Sequence, residues 1–371
     1  MGAPGFARQR QADLEIIAHL GFTLFRLCAN PAPGYALPVK SVLGHLVRWS
    51  VAAFLLGLFA APAAAADCVP ALRILSSVPM QSTSDRTIMV VPVTIDSSNR
   101  RFLLDTGGQV SQISKSTLQA LDLPERTSEE HRLVDLAGNS SNTNTMVRRL
   151  IVGAREHRGV LLGVAPNPDL GKSLPYDGLL STDLFVDADL DMDFGARRLT
   201  AFATDHCDGR VVYWPADNIA IVPVTVSHNI ITFPVTVDGH AVTAVMDTGA
   251  QYSVMNMKLA KDLFGLNQDS PDMKPLTETS GDRTLTAYGH RFDDVAFEGV
   301  DVKDLRIYLM QDQMANRRTA FLGPDRSIAV PDLILGMDVL RHLHVYFATK
   351  EKRLYITDAV SGESALLTHR Y

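Results

Sequence analysis

The chain has 371 residues, 46% of them hydrophobic and 20% charged, with a formal net charge of −6. That composition is ordinary for a soluble globular protein and is long enough for two domains. It lacks the basic balance of a nucleic-acid-binding surface.

In chain order, the first predicted element is a leader. Arg48 precedes the uncharged run VAAFLLGLFAAPAAAA, Val51 to Ala66. A basic flank, a short apolar core and an Ala-x-Ala end read as a secretory signal. The run is short for a bilayer span. The competing reading is an uncleaved anchor. Residues 1–45 make an unusually long stretch upstream, so either the true start lies later or the leader is atypical. Residues 1–66 are therefore set aside as leader and signal. A mature chain from Asp67 is expected in a periplasmic or secreted location, with no stable membrane insertion. Cys28 falls in the leader, which leaves Cys68 and Cys207 as either a disulfide or two free thiols.

Past Asp67 the pattern is mostly strand. Short β-branched runs such as TIMVVPVTI, RRLIVG, NIITFPVTV and DLRIYLM are separated by turn residues. An amphipathic helix is predicted after Ser114 or Ser116, and another after Asn256. The segment VDADLDMDFG places acids at Asp187, Asp189, Asp191 and Asp193. A calcium loop would need Gly and Glu where Met192 and Arg198 stand, so the segment reads as a strand with a solvated acidic face. His342 and His344 lack a third ligand and read as structural or surface residues.

The chain also repeats itself. IMVVPVTIDSSNRRFLLDTGGQVSQI (88–113) aligns without a gap with IITFPVTVDGHAVTAVMDTGAQYSVM (230–255). Asp105 and Asp247 are 142 residues apart (247 − 105), as are Pro92 and Pro234. Downstream, DGLLSTDLF (177–185) matches DLILGMDVL (332–340) at a spacing of 155 (332 − 177). The second repeat thus carries 13 extra residues (155 − 142), placed around 316–327. These limits predict a first lobe over 67–206, a linker over 207–218 and a second lobe over 219–371.

One Asp-Thr-Gly is weak evidence, because Asp-x-Gly is a common turn. If the repeats pack about a pseudo-two-fold axis, two at equivalent places meet at that axis and two carboxylates are forced together. Such a pair shares a proton and supplies a base and an acid at once. It can draw a proton from water, which attacks a peptide carbonyl, without any metal or cofactor. Gly107 and Gly249 allow the sharp turn, and the hydroxyls of Thr106 and Thr248 are short enough to lock the two loops.

These motifs resemble the aspartic peptidases, in particular retropepsin-like aspartyl proteases fused as a tandem repeat. The shared features run in order in both halves: Asp-Thr-Gly after a buried strand, a helix, a flap hairpin, and an apolar-apolar-Gly loop behind the site. The resemblance covers most of residues 70–360. It implies a mainly β fold, with two homologous retropepsin-like β-barrel lobes related by a pseudo-two-fold axis, each with a short helix. It implies catalytic roles for Asp105 and Asp247 and interlocking roles for Thr106 and Thr248. Gly108 and Ala250 complete the active-site loops, and the backing loops fall at Leu180-Ser181 and Leu335-Gly336. Two positions depart from the pattern: Ser181 replaces the usual Gly, and Gly108 the usual Ala or Ser. Gly138 and Gly281 are candidate flap tips, or else the ends of plain surface hairpins.

An exported aspartic endopeptidase acting on peptides or proteins is the leading expectation. The chain would be a monomer that is its own pseudo-dimer. The alternatives are an inactive peptide-binding module on the same scaffold, or repeats that pair between chains. Because neither Gly108 nor Ala250 offers a hydroxyl to an ionised carboxylate, a pH optimum nearer neutral than strongly acidic is expected.

Overall fold

Strand Met89–Ile95 turns into strand Ser98–Leu104 through Asp96, whose φ is +52°. The matching hairpin in the second half, Ile230–Val237 to His240–Met246, turns through Asp238 and Gly239 at φ +44° and +81°. Positive φ at tight two-residue turns is what lets strands keep their right-handed twist, and Asp and Gly tolerate it best. Within the first strand Val91, Val93 and Ile95 point inward and Pro92 outward, the period-two pattern of a half-buried strand.

The computed structural model describes residues 71–83, 88–128, 132–135, 139–167, 170, 174–280, 283–310, 331–359 and 367–369. The leader expected over 1–66 lies outside them. Asp67–Tyr371 is one compact unit and is mainly β. Each half closes a ring of six strands. In the first, Met89–Ile95 pairs with Ser98–Leu104, which pairs with Gly178–Leu180, then Gln112–Ile113, Arg155–Val164 and Thr143–Val152. Thr94 opposite Ile151 closes it. The second ring repeats that order from Ile230–Val237 through His240–Met246, Leu333–Leu335, Val254–Asn256, Val300–Met310 and Arg283–Phe297, closing at Thr236 opposite Ala296. Phe102, Leu104, Ile113 and Leu180 fill the first ring, and Met246, Met255, Leu333 and Leu335 the second.

Both helices start where their caps predict. Ser114 accepts from the Thr117 N–H ahead of Lys115–Ala120. Asn256 accepts from the N–H groups of Lys258 and Leu259 ahead of Met257–Phe264, which Gly265 ends at φ +69°.

A third sheet joins the halves. Its order is Ile74–Pro79, Arg198–Ala203, Ala188–Asp193, Leu343–Ala348, Arg353–Asp358, Ala220–Pro223. The central pair takes one strand from each half, with Asp191 opposite Tyr346. Here the structure corrects the solvated acidic face expected of Asp189 and Asp191, which are 0% and 1% exposed. Residues after Cys207 cover that face: Val211 and Trp214 pack against Phe202, Tyr346 and Tyr355. Polar partners make the burial tolerable. Asp189 accepts from the Thr349 N–H at 2.8 Å and Tyr346 at 3.2 Å, and contacts His206. Asp191 accepts from Tyr213 at 2.5 Å and meets His344 Nε2 at 2.6 Å. Trp214 stacks on His344 at 3.7 Å. His342 and His344 are both buried, so the structural reading holds and the surface one does not. Cys207 is buried and disulfide-bonded; Cys68 lies outside the described residues.

This network predicts a pH effect on stability. Burial disfavours the charged form of His206. The Cys207 carbonyl, the Asp189 hydrogen bond and the charges of Asp189 and Glu351 outweigh it, so its pKa is raised. Burial also raises Asp189. A raised folded pKa contributes stability that is present below the unfolded value and lost as pH rises through the folded one. For His206 that window opens above about pH 6.5. The expected result is a melting temperature that falls between mildly acidic and mildly alkaline pH, and a shallower fall in His206→Gln. Thermal melts across that range check it; parallel slopes for the two proteins would refute it.

Candidate active site

Each Asp-Thr-Gly leaves the end of a buried strand and is tied to the loop behind it. The Asp105 N–H donates to the Leu180 carbonyl at 2.9 Å, and the Asp247 N–H to the Leu335 carbonyl at 3.1 Å. Leu180 and Leu335 are fully buried, so the two anchors are rigid. The loops meet through their threonines. The Thr106 hydroxyl accepts from the Thr248 N–H at 3.1 Å and donates to the Met246 carbonyl at 2.7 Å. The Thr248 hydroxyl accepts from the Thr106 N–H at 3.0 Å and donates to the Leu104 carbonyl at 2.8 Å. Both side chains are wholly buried, so these four bonds exchange with no solvent.

That lock sets the two carboxylates against each other. A Cβ on Gly107 would stand 2.3 Å from Cγ of Asp247, and one on Gly249 would stand 2.7 Å from Oδ1 of Asp105. Each glycine is therefore the close approach that lets the opposite repeat's carboxylate in. Asp105 and Asp247 are partly accessible but densely surrounded. Burial pushes Asp105 well above the usual carboxylate range; the charge of Asp247 and a hydrogen bond to it add to the rise, against the N–H groups of Gly108 and Gly107. Burial raises Asp247 as well. The N–H groups of Gly249 at 2.8 Å and Ala250 at 3.2 Å, with the Asp105 hydrogen bond, oppose that rise. The two groups are one titrating unit, able to hold and release a proton beside a bound water.

Behind the loops lies a supporting pair in each half that sequence reading had only partly found. Ser111 donates to Asp183 at 2.7 Å from its hydroxyl and 3.0 Å from its N–H, and accepts from the Ser181 N–H at 3.0 Å. Ser253 donates to Asp338 at 2.7 and 2.9 Å, and accepts from the Gly336 N–H at 3.1 Å. Asp183 and Asp338 lie in the segments 177–185 and 332–340 matched by the repeat, but the sequence assigned no supporting role to them or to Ser111 and Ser253. They share the repeat spacings of 142 and 155, which is the signal that could have found them. These bonds fix the backing loops at Leu180-Ser181 and Leu335-Gly336 against the two Asp-Thr-Gly turns.

Hairpins stand where flaps were expected. Leu133–Val134 pairs with Ser140–Ser141, and Lys274–Ser280 with the start of Arg283–Phe297. The candidate tips Gly138 and Gly281 lie outside the described residues.

Two closed barrels, each delivering one Asp-Thr-Gly to a common lock, define a bilobed protein with one carboxylate pair shared by its halves. The sequence profile of the aspartyl protease family matches residues 91–184 and 233–339, together more than half of the chain. The chain belongs to that family. No curated protein matches it in sequence.

Proposed function

We propose that this protein is an exported aspartic endopeptidase that hydrolyses peptide bonds with water activated between Asp105 and Asp247. The observation that carries the reading is the close approach of Asp105 and Asp247, each set against the other repeat's glycine, on loops held together by reciprocal threonine bonds. The ionised member takes a proton from water as its oxygen bonds to the peptide carbonyl carbon. The protonated member donates to the carbonyl oxygen. Proton transfer to the nitrogen then lets the C–N bond break. Both repeats of one chain supply the site, which supports a monomer as the active species.

Both carboxyl groups are raised by burial, and the Ser181 hydroxyl donates to the Val110 carbonyl at 3.1 Å rather than to a carboxylate. These features support an optimum nearer neutral than pH 4. The test is the product secreted from the full-length gene, assayed on a peptide library across pH with and without a statine-type transition-state mimic. Internal cleavage, blocked by the mimic and peaking above about pH 4, is expected. Peptide binding without cleavage would favour an inactive binding module. Non-reducing intact mass of the same product tests export and pairing together: a chain starting near Asp67 and closed by Cys68–Cys207 is expected. Retention of Leu55–Phe59, or two free thiols, would overturn the respective part.

A further inference from the structure

The two halves of the site differ in opposite senses at two facing positions. After Asp-Thr-Gly the first repeat has Gly108 and the second Ala250. In the backing loop the first has Ser181 and the second Gly336. In the second repeat a Cβ on Gly336 would lie 2.6 Å from the backbone carbon and oxygen of Tyr252, so no side chain fits there. The equivalent of Tyr252 in the first repeat is Val110 (252 − 142). There the Ser181 hydroxyl donates to the Val110 carbonyl at 3.1 Å, and Ser181 is wholly buried. A Cβ on Gly108 would stand 2.4 Å from that same hydroxyl oxygen and 2.8 Å from Oδ2 of Asp105. The hydroxymethyl of Ser181 thus fills the room that a side chain at 108 would need.

The two catalytic turns are also held by different means. In the second repeat, the N–H groups of Met337 and Asp338 donate to the carbonyls of Ala250 and Gln251 at 2.8 and 3.1 Å. In the first, side chains take hold: Ser181 on the Val110 carbonyl, and Asn229 Nδ2 on the Gln109 carbonyl at 2.8 Å. Asn229 comes from the second half, and its own carbonyl accepts from Thr182 at 2.5 Å.

We infer that Ser181 is a positioning residue for the Asp105 turn, and that Gly108 and Ser181 are an exchanged pair, the reciprocal of Ala250 and Gly336. This inference rests on the peptidase reading for its effect on catalysis, but not for its effect on folding. Ser181 holds the turn through Val110, and the turn carries Asp105 at the distance that sharing a proton with Asp247 demands. Adding a methyl at 108 sets it against the Ser181 hydroxyl and the Asp105 carboxylate together. Removing the Ser181 side chain as well leaves only the Asp105 contact, and the second repeat accommodates an alanine at the same place.

The experiment compares the full-length secreted protein with Gly108→Ala, Ser181→Gly and the double variant, by thermal melts and by kcat and KM on one peptide substrate. Gly108→Ala should melt lower and lose about 100-fold in kcat with KM little changed, the scale of a small misplacement of a reacting group. Ser181→Gly should lose about 10-fold, because the Val110 anchor goes while the site keeps its room. The double variant should recover both melting temperature and kcat to within about 10-fold of wild type, the strong coupling of residues in contact. A double variant no better than Gly108→Ala in either measurement overturns the exchange. Recovery of melting temperature without kcat leaves packing alone and overturns the positioning role. If wild type cuts no peptide, the peptidase reading fails, and the order of melting temperatures still decides whether the pair is exchanged.

Discussion

Asp105→Asn and Asp247→Asn should each slow the chemical step by about 10³–10⁴-fold, and the double variant should be little worse than either. The reason is the shared proton. The pair lies within hydrogen-bond reach, and each carboxyl group is surrounded by the other repeat's glycine. Asparagine preserves shape but cannot exchange a proton, so one substitution removes the function of both. Folding should survive and, near neutral pH, improve. Both carboxyl groups have raised folded pKa values, so ionising them costs the native state stability as pH rises. Replacing either by a neutral amide removes part of that cost. Single-turnover hydrolysis by the three variants, beside thermal melts at neutral and acid pH, measures both claims. One single variant with near-normal turnover would sink the shared-proton mechanism.

The largest loss of stability should come from the threonine lock. Thr106→Val removes the acceptor of the Thr248 N–H and the donor to the Met246 carbonyl; Thr248→Val does the same to the Thr106 N–H and the Leu104 carbonyl. All sit in a dry interior, where an orphaned polar group costs about 1–3 kcal/mol. Two such groups per substitution give a loss of roughly 2–6 kcal/mol. The loss should carry activity with it, because the same bonds set the distance between the carboxylates. Denaturant unfolding of the two variants, with kcat measured under native conditions, is the check. A loss below about 1 kcal/mol in both would mean that water or relaxation satisfies those groups.

Much of the site was legible because its parts are local. Asp-Thr-Gly is three adjacent residues, the strands that deliver it are short apolar runs, and Ser114 and Asn256 cap helices within their own turn. The alignment at 142 residues also placed both carboxylates at equivalent points. What sequence reading missed depends on residues that approach from far along the chain. Asp189 and Asp191 look like a solvated edge because alternation with Ala188, Leu190 and Met192 is the pattern of a half-buried strand. They are buried because the other half of the chain supplies the neighbouring strand, with His344 on it and Thr349 just past its end, and the segment after Cys207 lies across the face.

By itself, then, the sequence determined the class of fold, the number of halves and the identity of the two central acids, since periodicity and repetition are written in residue order. Only the tertiary structure decided the approach of the two carboxylates, the Ser111–Asp183 and Ser253–Asp338 supports, and the matching of Gly108 to Ser181. Those follow from which surfaces meet when two barrels close against each other. Gly108 and Ser181 are 73 residues apart (181 − 108), and no local propensity relates them. Packing at the common lock, where one methyl group already exceeds the room available, made each dependent on the other.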